Sequence, residues 1–300
     1  MRRVFSHAFG PLLLGAMGVG LWQREAIELE LARVHVPLDG ATVLSMGLLL
    51  LLFLAEQLVP ARPEWNKGFF VRGPGLGRDL LYLVLIAQFS SAFIALSKLW
   101  VTHEVEGTGV GFDSGLAWPA EWPFAAKVAL AFFVAEFFSY WWHRFAHRVP
   151  LLWQFHSTHH VITEVTALKA LRTHPLENLC FWFARHALLF VLGAGSGEVV
   201  AAATLGGMLG LLSHANLDLA PGPLGWVVNF PRYHVVHHSH LRAESDSNFG
   251  CHTVLFDRLF GTFRDQAGEP LIAGVDPVRP RTLFEELVAP FFRDVTQLDP

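Results

Sequence analysis

The sequence contains few cysteines and few charged residues, and each shortage excludes some classes of protein. Only two cysteines, Cys180 and Cys251, occur in 300 residues, too few for a disulfide framework or for a metal site built from thiolates. Charged residues make up 16% of the chain and the formal net charge is -4, so we expect no nucleic acid as a partner. The glycine fingerprint of dinucleotide-binding folds is also missing, so any reducing electrons are expected from a separate protein.

Hydrophobic residues are abundant and form long runs. They make up 52% of the sequence, with a mean hydropathy of +0.38. A helix that rises about 1.5 Å per residue needs about 20 residues to cross about 30 Å of hydrocarbon, and the apolar runs 41–59, 80–100 and 124–142 have about that length. A further run, 176–212, is interrupted by Gly193, Gly195 and Gly197, which predicts two helices that form a hairpin.

These runs predict an all-α fold, a polytopic membrane helix bundle. About four transmembrane helices are expected, two of them forming the hairpin. Residues 1–40 are predicted to be a separate N-terminal segment, in which 9–22 is a short span or an interfacial helix. Residues 41–300 are predicted to form a single membrane-embedded domain.

Positive charge predicts the orientation of this bundle. The loop after the first span contains Arg62, Lys67, Arg72 and Arg78, whereas the loop after the second is acidic and has no Lys or Arg before Lys127. Because Lys and Arg favour the cytoplasmic side, the first loop is expected there, and the third span returns the chain to it. We therefore predict an integral membrane protein with a histidine-rich helical cap on the cytoplasmic face.

Histidine is concentrated in one part of the chain. Thirteen of the 16 histidines lie between His143 and His252. Three clusters, HRFAH, HSTHH and HVVHH, space them three or four residues apart, which places imidazoles on one face of a helix. The cluster histidines are His143, His147, His156, His159, His160, His234, His237 and His238. They are expected to bind two metal ions, because buried neutral imidazoles need partners and protonated ones would repel one another.

The ligand type limits the choice of metal. A shell of imidazoles without cysteine excludes iron–sulfur clusters and structural zinc ribbons, and a catalytic zinc ion needs only about three protein ligands. A pair of iron ions is the interpretation that uses all the cluster histidines. Zinc and copper remain open alternatives.

The order of the motifs resembles the fatty acid hydroxylase and sterol desaturase superfamily of membrane-bound non-haem di-iron oxygenases. HRFAHRVPLLWQFHSTHH matches the family's HxxxH, LLW and HxxHH, LRTHPLE matches its RxHPxE, and HVVHHSHLRAESDSNFG and FDRLFGTF match its closing motifs, with Phe256 in place of a Trp. These histidine motifs run over 143–263. The resemblance implies two iron ions, O2 as co-substrate and a separate electron donor, either cytochrome b5-like or ferredoxin-like with its reductase.

The resemblance also implies roles for individual residues. The cluster histidines would be the iron ligands, and His174 in RTHPLE and His214 in SHAN are two further candidate ligands. Three carboxylates would accept hydrogen bonds from the other ring nitrogens of the ligands: Glu177, Asp246 and Asp257. Three remaining histidines are interpreted as structural: His186, His240 and His252.

These features predict an enzyme that uses O2 to hydroxylate an unactivated C–H bond of a lipid. The lipid is expected to enter from the bilayer and to be of the sterol or fatty acyl type that the resemblance favours. Phenylalanines of the spans are candidates to wall an apolar slot for it: Phe132, Phe133, Phe137, Phe138, Phe181 and Phe183. A desaturase with the same di-iron site is the alternative among enzymes. A histidine-rich membrane metal transporter is the alternative from a different class, disfavoured because the histidines gather at one membrane face.

Overall fold

Helices dominate the structure, a computed structural model that describes residues 2–35, 38–66, 75–88, 118–265, 271–275 and 282–292. Within these residues, extended backbone pairs only at isolated bridges, such as the one between Val228 and Thr253. The predicted all-α fold is confirmed.

The N-terminal part of the structure lies before the histidine motifs. Its helices are α1 (Arg2–Trp22), α2 (Arg24–Arg33), α3 (Gly40–Leu58) and α4 (75–88). Asp39 caps α3, because its carboxylate accepts a hydrogen bond from the Thr42 N–H at 2.8 Å and so satisfies a donor of the first turn. The span predicted at 80–100 coincides with α4 up to residue 88, and its remainder lies outside the described residues.

The predicted hairpin follows two helices that carry histidines. These helices are α5 (Phe124–Ala146) and α6 (Pro150–His160), and the arms of the hairpin are α7 (Pro175–Leu192) and α8 (Ser196–His214). Gly193 ends α7 with a φ of 92°, a left-handed conformation that glycine adopts without steric cost. The turn between the arms therefore falls where the glycines interrupt the apolar run.

Four described helices are long and apolar enough to cross a membrane: α1, α3, α5 and α8. The protein is therefore an integral membrane protein. The first arm of the hairpin, α7, is not one of the four, and it carries Glu177, Arg185 and His186. Arg185 is buried and its Nη2 lies 3.1 Å from Glu136 Oε1 of α5, so the charged part of α7 faces a neighbouring helix.

Short helices follow the hairpin. They are α9 (Pro231–His237), α10 (Arg242–Ser245), α11 (Leu255–Leu259) and, nearer the C-terminus, α12 (Leu283–Phe292). The main core joins α3, α5 and α8, where Leu52, Ala131 and Leu212 are buried. This packing brings the C-terminal ends of α5 and α8 together beside α6 and α9, and those four helix segments carry the clustered histidines.

Candidate metal centre

Nine buried histidines form two adjacent groups in the described part of the chain. In each group the nearest ring nitrogens all lie within 4.8 Å of one another. The first group contains His143, His147, His156, His160 and His237, and the second contains His159, His214, His234 and His238. The structure thus brings together the cluster histidines and His214.

Helical geometry divides single clusters between the two groups. In α6, His156 and His160 belong to the first group and His159 to the second, because neighbouring positions differ by about 100° around a helix axis. The α9 cluster repeats the arrangement, with His237 in the first group and its other two histidines in the second. Both helices therefore lie between the groups and supply ligand atoms to each.

The Nε2 atoms point inward at uniform spacings. In the first group, His143 Nε2 lies 2.9 Å from the Nε2 atoms of His156 and His237. In the second, His214 Nε2 lies 3.0 Å from His234 Nε2 and 3.1 Å from His159 Nε2. Two nitrogens at about 2.1 Å from one metal ion and at right angles to each other are separated by about 3.0 Å. The spacings fit a metal ion at the centre of each group.

The opposite ring nitrogens fix the rings from outside the first group. The Nδ1–H groups of His143 and His237 donate to the Phe249 carbonyl at 2.7 Å and the Ser247 carbonyl at 2.8 Å. His156 Nδ1 bonds to Glu177 Oε1. His147 Nδ1 lies 3.4 Å from a carboxylate oxygen of Asp246, which is the only one of these partners that is partly exposed.

Main-chain carbonyls hold two of the four rings of the second group, whereas His234 Nδ1 lies 3.2 Å from the Asn229 amide nitrogen. His214 Nδ1–H donates to the Gly210 carbonyl at 2.8 Å, and His159 Nδ1–H donates to the Arg172 carbonyl at 3.3 Å. A proton on Nδ1 leaves the Nε2 lone pair directed inward. Several unprotonated nitrogens that face one another at about 3 Å need a cation between them.

The predicted partner Asp257 acts one step further away than expected. Its carboxylate oxygens accept hydrogen bonds from the Phe249 N–H at 2.7 Å and the Gly250 N–H at 2.8 Å. Because the Phe249 carbonyl receives the His143 Nδ1–H, Asp257 positions the loop that holds His143. Glu177 and Asp246 do face imidazoles of the first group.

Burial keeps these imidazoles neutral. It lowers the pKa of His156 to about 3 and that of His159 to about 4, and it lowers the pKa of His160 and His237 well below the ordinary value. Neutral imidazole is the form that ligates a metal. Cys251 Sγ lies 3.5 Å from His143 Nδ1, on the outer side of that ring, and burial raises the pKa of this thiol to about 12.

His174 lies outside both groups. Its Nδ1 accepts a hydrogen bond from the Leu176 N–H at 3.2 Å, which caps the first turn of α7, and its Nε2 lies 3.1 Å from the Leu287 carbonyl. Both ring nitrogens are therefore engaged by the backbone. The three histidines interpreted as structural are also outside the groups, with partners Trp182, Ile272 and Glu136: His186, His240 and His252.

Sequence reasoning did not find the buried polar cluster beside the site. Glu136 Oε1 lies 2.6 Å from His252 Nδ1 and 3.1 Å from Arg185 Nη2. The available signal was a charge inside each of two apolar runs, because a charge within a span needs a partner. The partners themselves are 49 and 116 residues away from Glu136, so the sequence could not pair them.

The phenylalanines predicted to wall a lipid slot have different surroundings. Phe132 is buried in the main core, whereas Phe137 packs against Phe256 with ring centroids 5.7 Å apart. Phe183 is exposed, and Phe181 lies beneath the Arg185 guanidinium. These rings serve different parts of the fold.

The fold and the site together define an integral membrane protein whose helix ends gather nine buried imidazoles into two sites able to hold metal ions. Comparisons with known proteins agree. Residues 128–262 match the family model described as fatty acid hydroxylase. The chain belongs to the fatty acid hydroxylase and sterol desaturase superfamily.

Named relatives are lipid-modifying enzymes. The chain is 30% identical over 226 residues to an ornithine lipid hydroxylase of Rhizobium tropici, covering 74% of this chain and 66% of the relative. It is 28% identical to the alkylglycerol monooxygenases of Homo sapiens, over 59% of this chain and 38% of the relative, and of Danio rerio, over 80% and 50%. The match thus covers about two thirds or less of the length of these relatives. No solved structure matches the chain.

Proposed function

We propose that this protein is a membrane lipid hydroxylase that uses two iron ions and O2 to place a hydroxyl group on a carbon of its lipid. The observation that carries the proposal is the pair of adjacent histidine groups at the ends of membrane helices. The names of the relatives, hydroxylases and monooxygenases of lipids, support the reaction class. Two iron ions would supply the redox chemistry that O2 activation requires.

The nine histidines of the two groups are the proposed ligands, and His174 is not included. Five nitrogens in the first group and four in the second exceed what a catalytic zinc ion needs, about three protein ligands. An iron ion, which can accept about six ligands, would have positions left for other ligands beside such sets. Those positions are where O2 and solvent would enter.

Residues of the chain itself would orient and shield this site. The carbonyls of Phe249, Ser247 and Gly210 hold three of the imidazoles in fixed orientations, which would keep those ligands basic and directed at their ions. All nine ligands are buried. Exclusion of bulk water favours reaction with the lipid over loss of the oxidant.

The proposed substrate is a lipid with an acyl or alkyl chain that reaches the site from the bilayer. The ends of α5 and α8 adjoin both groups, since they carry His143 and His214. A carbon close to the polar end of a lipid would lie at this depth. The relatives are named for ornithine lipid and alkylglycerol, which favours a chain-bearing lipid over a sterol.

The orientation and the electron donor are part of the same proposal. The excess of Lys and Arg in the loop after α3 supports a cytoplasmic position for the histidine groups. A cytochrome b5-like or ferredoxin-like carrier would deliver the electrons there.

Turnover under 18O2 tests the proposed reaction. The purified protein, loaded with iron and supplied with an electron donor, would be incubated with bilayer lipids and the products analysed by mass spectrometry. One labelled oxygen added per product is expected. Loss of two hydrogens without added oxygen would instead identify a desaturase, and no turnover together with metal uptake into proteoliposomes would identify a transporter.

A further inference from the structure

A short segment that ends in the first turn of α7 contacts both histidine groups. The Arg172 carbonyl accepts the His159 Nδ1–H of the second group at 3.3 Å. Five residues later, Glu177 bonds to His156 of the first group. His174, between them, caps α7. The segment 172–177 therefore positions one imidazole in each group.

Helix α12 contacts the segment 172–177 at Arg172 and His174. Glu286 is only 1% exposed, and its Oε1 bonds to the Arg172 guanidinium. One residue further, the Leu287 carbonyl lies 3.1 Å from His174 Nε2. Phe291 of the same helix packs on the His174 ring, with centroids 5.9 Å apart.

Glu286 is also the meeting point of α12 and α4. Arg78 Nη1 donates to Glu286 Oε1 at 3.1 Å, and Tyr82 Oη donates to Glu286 Oε2 at 3.1 Å. Asp79 Oδ1 lies 3.8 Å from Arg172 Nη1. Two cations and two carboxylates thus form a buried cluster in which the charges compensate each other. Such a cluster stabilises the fold only while the distances between its charged groups are preserved.

From these contacts we infer that Glu286 is a positioning residue for the second metal ion. It fixes the Arg172 side chain, and Arg172 in turn presents its carbonyl to His159. α4 and α12 both lie outside residues 128–262 that match the family model. The inference rests on the proposed occupancy of the two histidine groups by metal.

Metal binding by the Glu286→Gln variant tests the inference. Gln keeps the size of the side chain but removes the charge that holds Arg172 and Arg78. We expect the full-length variant in detergent to keep the ion of the first group and to bind the second about 10-fold more weakly. This is the lower end of the loss that follows removal of a direct partner of a ligand, because Glu286 acts on His159 through Arg172. Elemental analysis and the loss of one of two iron signals by Mössbauer spectroscopy would report this without any assay of turnover.

Two further variants separate positioning from general stability. Glu286→Asp keeps the charge and should recover most of the second ion. Glu198→Gln is the matched control, because Glu198 is a buried carboxylate in an ion pair, 2.6 Å from Lys127 Nζ, at the opposite end of α8 from His214. It should lower the unfolding temperature and leave both ions bound.

Each outcome decides the inference. Two ions held by Glu286→Gln with wild-type affinity, or loss of the same ion in Glu198→Gln, would overturn it. If Glu286→Gln does not fold, Tyr82→Phe removes one hydrogen bond to Glu286 and should weaken the second ion a few-fold, and no change in that variant would overturn the inference. A wild-type protein that binds no metal would overturn the proposed function first.

Discussion

At the scale of single residues, the ring orientation of each histidine matters as much as its presence. Most of the Nδ1 partners are carbonyls of the chain, such as those of Phe249, Ser247 and Gly210, and two are carboxylates. A carbonyl partner cannot be recognised in the sequence, because every residue has a main-chain carbonyl. The cluster spacing therefore predicted which histidines face a site, whereas the atoms that orient them became visible only in the fold.

His174 gives the sharpest residue-scale contrast. Asn can cap a helix as His174 does, so His174→Asn should keep about two metal ions per chain. It loses the contacts of the buried ring with the Leu287 carbonyl and Phe291 and should lower the unfolding free energy by about 1–3 kcal/mol. His159→Ala removes one of the four nitrogens of the second group and should release one ion. Elemental analysis of both variants checks this, and equal metal loss in the two would return His174 to the ligand set.

Asp257 should matter for stability through the loop that it holds. Asp257→Ala leaves the buried N–H groups of Phe249 and Gly250 without their acceptor, at a cost of about 1–3 kcal/mol each. Asp265→Ala is the matched control, because Asp265 pairs with Arg232 at the surface and exposed pairs contribute about 0–1 kcal/mol. Thermal unfolding in detergent should show a larger loss of stability for Asp257→Ala than for Asp265→Ala. A similar loss in both would show that Asp257 does not support the loop.

At the scale of elements, the hairpin and α5 form the frame on which the site is built. Glu136 of α5 bonds to Arg185 of α7 and to His252 of the loop between α10 and α11. Added methyl groups at Gly206 and Gly210 of α8 would meet Arg185 at 2.8 Å and His252 at 3.2 Å. The small residues of α8 thus leave room for a polar cluster inside the bundle.

A double-mutant cycle tests this cluster. Glu136→Leu leaves the Arg185 charge buried without its carboxylate and should destabilise the fold by about 3–5 kcal/mol. Arg185→Leu removes the cation but leaves Glu136 bonded to His252, so it should cost less. The double variant should lose less than the sum of the two, because no unpaired charge remains between them. If the two changes in unfolding free energy add in the double variant, the two residues do not interact.

At the scale of the whole molecule, features that depend on neighbouring residues could be predicted from the sequence, whereas contacts between distant residues could not. Apolar length placed α3, α5 and the hairpin, and glycines placed the turn at Gly193, because these features depend on neighbours in the sequence. The order of the histidine motifs placed the site. The bonds from Glu286 to Arg172 and to Arg78 join residues 114 and 208 positions apart, and no spacing rule connects them.

Metal analysis of the purified full-length protein is the most direct test of the central claim, that two histidine groups each hold an iron ion. We expect about two irons per chain in the wild-type protein. The content should fall to about one in His147→Ala, which affects the first group, and in His238→Ala, which affects the second. His7→Ala, at an exposed position in α1, should leave the content unchanged. A single zinc ion per chain, or an iron content that none of these histidine substitutions alters, would contradict the account.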